Sequence, residues 1–365
     1  MLRLILAENG NIILEEIKST REDLKKIDLD YHQEHLAQLK LYAYLYGLIN
    51  NMSIVPVRLT YISVDDYKTK KFNFILTIDE LKDFFYKSID DYTRWHQTLS
   101  EASTVKLDTL KDITFPFASK RQGQSELMKA TYLTMKANSI LYAIAPTGIG
   151  KTMATIFSTL KSMTKQNEKL FYLTAKTIGR EVAIDSFRML QNEGLKLHAI
   201  VISSKAKSCA SKMQHCDPEK CSFAKGYFSR LRQAIEDIYT NEILYSQETI
   251  MEYALKYNIC PFEYSLDLSY FCDAIVCDYN YVFDPKAHLI RYFEDTEYQP
   301  KILCDESHNL VERSKDMYSA EFDSLLPLRI EERISSYDKT ITKNVRHFYD
   351  ELKKYDDLVN KDLFY

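Results

Sequence analysis

Ala145-Pro146-Thr147-Gly148-Ile149-Gly150-Lys151-Thr152 is the stretch on which the reading of this chain turns. Two of only eight glycines fall inside it, followed at once by a lysine and a hydroxyl. Backbone N–H groups that converge on phosphate oxygens leave no room for Cβ atoms, so Gly148 and Gly150 fit a close anion approach. Lys151 is placed to reach the β- and γ-phosphates of a nucleotide, and the Thr152 hydroxyl to ligate Mg2+. A helix starting there points its N-terminus at the anion. The apolar run 139–145 reads as a strand entering the loop, and residues 151–165 as the helix leaving it, the setting such a loop requires.

Working outward, strand and helix patterns alternate. Residues 169–174 and 198–203 read as strands around a helix at 178–192, and the apolar runs 274–277 and 302–304 each end at an acid. This alternation specifies an α/β fold with a doubly wound parallel sheet. In Lys301-Ile302-Leu303-Cys304-Asp305-Glu306-Ser307-His308, Asp305 is the expected Mg2+ partner, and Glu306 would orient and deprotonate an attacking water. Residues 1–105 form a separate unit. Asn9-Gly10 between apolar runs signals a hairpin, Leu36, Leu39, Tyr42, Ala43 and Tyr46 have helical spacing, and 55–62 is a further strand. The charged residues 100–112 read as a linker.

Of the 365 residues, 45% are hydrophobic and 27% charged, an ordinary globular balance. No run of eighteen apolar residues exists, and Met-Leu-Arg-Leu-Ile-Leu-Ala-Glu is too short for a signal peptide, so the expectation is cytoplasmic with no membrane partner. Net charge is −4, yet Lys205, Lys207, Lys212, Lys220, Lys225, Arg230 and Arg232 share one segment with only Asp217 and Glu219. Such a local reversal suits phosphate contact, or is a solvated lysine-rich loop. All seven cysteines lie from Cys209 onward, and an odd number in a cytosolic chain argues against a disulfide framework. Cys209, Cys216, Cys221 and Cys260 follow a C-x6-C-x4-C-x38-C spacing that serves an iron–sulfur cluster or a zinc site equally. Cys272, Cys277 and Cys304 sit in strand-like runs and read as buried apolar residues.

Together these motifs resemble the iron–sulfur XPD/DinG type of superfamily 2 DNA helicase over roughly residues 115–310. Ala-x-x-Gly-x-Gly-Lys-Thr is the usual form of a helicase loop, and Asp305-Glu306-Ser307-His308 is similar to the Asp-Glu-Ala-His box. Phe115-Pro116-Phe117 with Arg121 and Gln124 resembles the family's adenine-side motif. Tyr172-Leu173-Thr174-Ala175-Lys176-Thr177 looks like its DNA-backbone motif, and Cys277-Asp278-Tyr279-Asn280-Tyr281-Val282-Phe283-Asp284-Pro285 like the run before its acidic box. The resemblance implies a P-loop NTPase (RecA-like) lobe, ATP and Mg2+ as cofactors, and His308 coupling the nucleotide site to DNA. It favours a [4Fe–4S] cluster on the four cysteines, the last followed by Pro261-Phe262, and makes single-stranded or forked DNA the partner.

The implied layout is a nuclease-like α+β domain at 1–105, the motor lobe at 106–203 and 263–314, a cluster insertion at 204–262, and the start of a helical arch at 315–365. No Gln-x-x-Gly-Arg-type motif follows the acidic box, so a second polypeptide carrying another motor lobe is expected to complete turnover. Glu16-Ile17-Lys18, with Gln38 and Tyr42 one helical turn apart, resembles the core of RecB-type nucleases, in which two carboxylates hold a metal. The aspartate that should precede Glu16 is missing, since the first is Asp23 and Glu8 is out of place. A shortened, inactive nuclease fold is the expectation. Two other classes stay open: an ATP- and DNA-binding module without motor activity, and a metal-dependent nuclease.

Overall fold

The computed structural model describes residues 2–359 apart from 7–11, 30, 32, 212–215, 218–219, 295–296, 321–322, 324 and 335–337. It divides into two units, Met1–Val282 with Leu289–Ser307, and Phe283–His288 with His308–Tyr365.

The first unit opens with a four-stranded sheet in the order β1-β2-β3-β4. β1 (Leu2–Leu6) pairs antiparallel with β2 (Ile12–Thr20), placing Leu4 opposite Leu14. The Asn9-Gly10 turn and Glu8 lie outside the described residues. α1 (Gln33–Ile49) crosses over to β3 (Ile54–Ser63), which is therefore parallel to β2, and β4 (Thr69–Thr77) returns antiparallel. Leu39 and Ala43 bury with Tyr44 against Leu14, Val55, Val57, Leu59 and Tyr61, as the helical spacing predicts.

α2 (Ile78–Asp112) is a single helix of 35 residues. Its start is fixed by a capping box, in which Thr77 accepts from the Glu80 N–H while Glu80 accepts from the Thr77 N–H at 2.9 Å. Leu81, at one end, belongs to the core of the first sheet. Leu110, at the other, belongs to a second core built around β-strands further along the chain. Residues 100–112 are thus the end of a helix, not a linker. Their charges mislead because Lys106, Leu110 and Ile113 form a buried stripe. Lys106 Nζ meets Asp273 Oδ1 at 2.8 Å and the Gln166 carbonyl at 2.9 Å, so the charge in that stripe is partnered.

After α2 the chain forms α3 (Gln124–Ala137), α4 (Lys151–Ser162), β5 (Glu168–Leu173), α5 (Thr177–Asn192), β6 (Ala199–Val201), α6 (Lys205–Ser208) and α7 (Tyr227–Asn241). It continues through β7 (Leu244–Tyr245), α8 (Gln247–Tyr257), α9 (Pro261–Leu268), β8 (Ala274–Cys277), α10 (Asn280–Phe283) and β9 (Gln299–Cys304). The strands order as β7-β6-β8-β5-β9, every pair parallel. β5, β6 and β8 are buried along their whole length, which is why 170–173, 199–201 and 274–277 read as apolar runs rather than alternating ones. This is the α/β parallel sheet that the alternation specifies.

One expected strand is not formed. Residues 139–145 carry no ladder hydrogen bonds and are largely exposed, Tyr142 at 87%. Among the described residues β9 pairs with β5 alone.

In the second unit, α11 (Leu310–Tyr318), α12 (Leu326–Ile334) and α13 (Lys339–Val359) follow one another, helical as their composition predicts. α12 and α13 are tied by Arg346 Nη1 to Glu331 Oε2 at 3.1 Å. No helix among the described residues is long and apolar enough to cross a membrane.

Candidate active site

Parallel register sets the site. Leu173 on β5 stands opposite Cys304 on β9, so the two strands end at one level, and Thr174 and Asp305 emerge side by side. The Asp305 N–H donates to the Leu173 carbonyl at 2.9 Å. The buried Thr174 hydroxyl is hydrogen-bonded to the Asp305 carboxylate. Carboxyl ends of parallel strands are where α/β sheets bind ligands.

α4 brings the phosphate loop to this point. The Tyr172 hydroxyl, rising from β5, contacts Thr152 Oγ1 at 3.2 Å and also the Asp305 carboxylate, joining the two halves of the expected Mg2+ site through one oxygen. The Lys151 charge acts on the same carboxylate. Burial, and then the neighbouring Glu306 charge, raise the Asp305 pKa, outweighing Lys151 and the hydrogen bonds from Tyr172 and Thr174. A carboxylate held this way gains from a divalent cation beside it.

The loop is clamped from behind. Buried Gln124 donates from Nε2 to the Ile149 carbonyl at 2.9 Å and accepts the Arg121 N–H at 3.1 Å, while the Arg121 guanidinium donates to the Gly148 carbonyl. Arg121 and Gln124, expected on the adenine side, thus hold the loop backbone. Gly150 has φ +79°, and a Cβ there would stand 2.6 Å from Gln124 Nε2. Lys151 Nζ donates to the Ala145 carbonyl at 3.1 Å. Pro146, Thr147 and Gly148 are exposed, and Ile149 is buried. Phe115 packs edge-on against Phe157 of α4, centroids 5.4 Å apart. His308 belongs to the second unit, in the 3-10 turn Ser307–Asn309.

Four residues around the carboxylates have no individual role assigned by the sequence pattern, although Tyr172, Thr174 and Tyr279 lie inside quoted motifs. Thr174 bonds the Asp305 carboxylate. Gly179 permits that approach, since a Cβ there would lie 2.3 Å from Thr174 Oγ1 and 3.2 Å from Asp305 Oδ2. Tyr279, fully buried, donates its hydroxyl to the carbonyls of Asp305 and Glu306. The signal available in sequence is the β5 alternation, which puts Tyr172 and Thr174 on one face.

The cysteine expectation meets a mixed picture. Cys209 and Cys216 are exposed, Cys221 and Cys260 partly buried, and all are free thiols. The Lys205 ammonium hydrogen-bonds Cys216 and feels Cys260. Among the described residues no three His, Cys, Asp or Glu side chains are grouped to hold a metal ion, so the four thiols as placed do not form a cluster site. Cys272 and Cys277 are buried, as expected, and Cys304 partly so. Several of the basic charges are already engaged. Lys220 pairs with Asp217 at 2.9 Å and Arg232 with Glu236 at 2.8 Å. Arg230 donates to the carbonyls of Lys225 and Asn258, tying the insertion together. Lys212 lies outside the described residues.

In the N-terminal sheet, Lys18 Nζ lies 3.1 Å from Glu16 Oε1 and donates to Gln38 Oε1 at 2.6 Å, and Gln38 Nε2 is 3.4 Å from the Tyr42 hydroxyl. The fingerprint residues therefore converge. Glu15 points to the opposite face, as strand alternation demands, where Thr60 and Arg3 bind it. Burial would raise the Glu15 pKa, but those two hydrogen bonds win and hold it low. It supplies no second metal carboxylate beside Glu16.

Residues 160–325 match the family model described as DEAD_2. The chain is 28% identical over 145 residues to the General transcription and DNA repair factor IIH helicase subunit XPD of Dictyostelium discoideum, covering 40% of this chain and 17% of that protein's length. Among solved structures it is similar to an XPD helicase, with TM-score 0.40 and 17% identity over 65% of this chain and 41% of that one. A truncated XPD gives TM-score 0.44 and 18% identity over 63% and 65%.

Proposed function

We propose, from the premise that this chain carries the DEAD_2 domain of an XPD-type superfamily 2 helicase, that it is the ATP-binding motor lobe of a DNA helicase. The observation that carries this reading is the Tyr172 hydroxyl touching both Thr152 and Asp305, which brings the phosphate loop and the acidic box to one point.

Hard oxygen donors suit Mg2+, and Thr152 and Asp305 are the pair that would hold it. When bound, Mg2+ neutralises charge developing on the phosphates. Lys151 holds the β- and γ-phosphates, and the loop N–H groups fix their orientation. Glu306 takes a proton from the attacking water as its oxygen bonds to the γ-phosphorus and the bond to the β,γ-bridging oxygen breaks, releasing ADP. Polarity 5′→3′, a DNA strand along the lobe and a second motor lobe supplied by another polypeptide belong to the same proposal. So does a [4Fe–4S] cluster on Cys209, Cys216, Cys221 and Cys260. Iron and sulfide content of the purified chain decides between the cluster and zinc.

The test is Mg-ATP binding and single-stranded-DNA-dependent phosphate release, with and without a second motor lobe. Glu306→Gln is expected to keep ATP affinity and to lose turnover by about a hundredfold or more. Lys151→Ala is expected to lose both. Equal turnover in all three proteins would refute the motor. A nuclease reading retains one supporting observation, the Glu16–Lys18–Gln38 contact. Metal-dependent DNA cleavage that is lost in Lys18→Ala and kept in Lys151→Ala would establish it.

A further inference from the structure

Glu306 holds a backbone φ of +51°, a left-handed conformation that costs a non-glycine residue free energy and persists only when its surroundings impose it. The restraint is visible. On one side the Asp305 N–H is fixed to the Leu173 carbonyl at 2.9 Å. On the other, the Tyr279 hydroxyl donates to the Asp305 carbonyl and lies 3.2 Å from the Glu306 carbonyl.

Tyr279 comes from the turn after β8, and β5 stands between β8 and β9 in the sheet. The turn and the tyrosine side chain together therefore cross the end of β5 to reach the residues that follow β9. Tyr279 is itself anchored, fully buried, with its carbonyl accepting the Val282 N–H at 3.0 Å. An aromatic ring needed only for packing has no use for a hydroxyl at that point. Here the hydroxyl meets the two carbonyls that flank the strained peptide. We infer that Tyr279 is a positioning residue that acts through Glu306, its hydroxyl fixing the left-handed turn that aims this carboxylate at the water. The inference rests on the motor reading above.

Tyr279→Phe deletes one oxygen and keeps the ring. Assayed as Mg-ATP hydrolysis with single-stranded DNA, and with the second motor lobe if the chain alone is silent, it is expected to lower kcat at least tenfold. The KM for ATP is expected to move less than twofold. In a Glu306→Gln background the same change is expected to have no further effect on kcat, because a residue acting through Glu306 has nothing left to position. A merely structural role would instead lower the melting temperature, weaken ATP binding and subtract equally in both backgrounds. Unchanged kcat in Tyr279→Phe, or an equal loss in the Glu306→Gln background, overturns the inference while leaving the motor intact. A wild-type chain that binds ATP but never hydrolyses it, even with the second motor lobe added, overturns both.

Discussion

At residue 179 a single added methyl group would meet the Thr174 hydroxyl at 2.3 Å. Thr174 cannot retreat, because it is buried and bonded to Asp305. Gly179→Ala is therefore expected to cost about 1–3 kcal/mol of stability, the usual penalty of overpacking, and to weaken Mg-ATP binding more than Mg-free ATP binding. Thermal melting with and without ligand measures both. A second residue sets a pH limit. His198 is 8% exposed, stacked on Tyr239 at 3.9 Å with Nδ1 hydrogen-bonded to Tyr245, and burial pushes its pKa down to about 4. Its unfolded value is near 6.5, so between pH 6.5 and 4 the unfolded chain binds a proton the folded one refuses, and stability falls as pH falls through that window. The loss amounts to about 3 kcal/mol, and His198→Gln is expected to flatten it in pH-dependent denaturant melts. The glycine, lysine and carboxylate pattern of the loop and acidic box is legible residue by residue because each motif is contiguous in the sequence. Gly179 and Tyr279 are not, since their roles exist only where distant segments meet.

Among the elements, α2 carries most of the instruction that composition conceals. Its last third reads as a linker because Glu101, Asp108, Lys111 and Asp112 dominate it, but a helix needs only one narrow stripe to be buried. Lys106 occupies that stripe and is 2% exposed beside an Asp273 that is 17% exposed. Lys106→Met leaves the carboxylate without its cation, and the expected cost is about 3 kcal/mol by chemical denaturation. Because the same helix also reaches the first sheet through Leu81, the unfolding of both cores is expected to remain a single transition in wild type. The opposite failure concerns residues 139–145. Their apolar pattern is that of a strand, and pattern alone does not reveal whether a run joins the ladder.

For the whole molecule, net charge conceals what local segments do. The chain is acidic at −4, and within its basic insertion Lys205, Lys220, Arg230 and Arg232 have internal partners, so among the described residues Lys207 and Lys225 are the better candidates for phosphate contact. Lys207→Glu with Lys225→Glu is expected to weaken single-stranded DNA binding and to flatten its dependence on salt by about 1.4 units of the log–log slope, measured by fluorescence anisotropy. The parallel architecture was legible from alternation alone. The strand order was not, because β8 returns between β6 and β5 after a long insertion that no local pattern announces.

The bare rim of β9 has a colloidal consequence. A row of peptide groups with no neighbouring strand among the described residues, in a molecule that also displays Ile140, Tyr142 and Ile144 to water, is a template on which other chains can crystallise strand by strand. Concentrated solutions are expected to scatter light and bind thioflavin over time. Tyr142→Lys with Ile144→Lys should keep them clear, since like charges along that run repel any incoming copy.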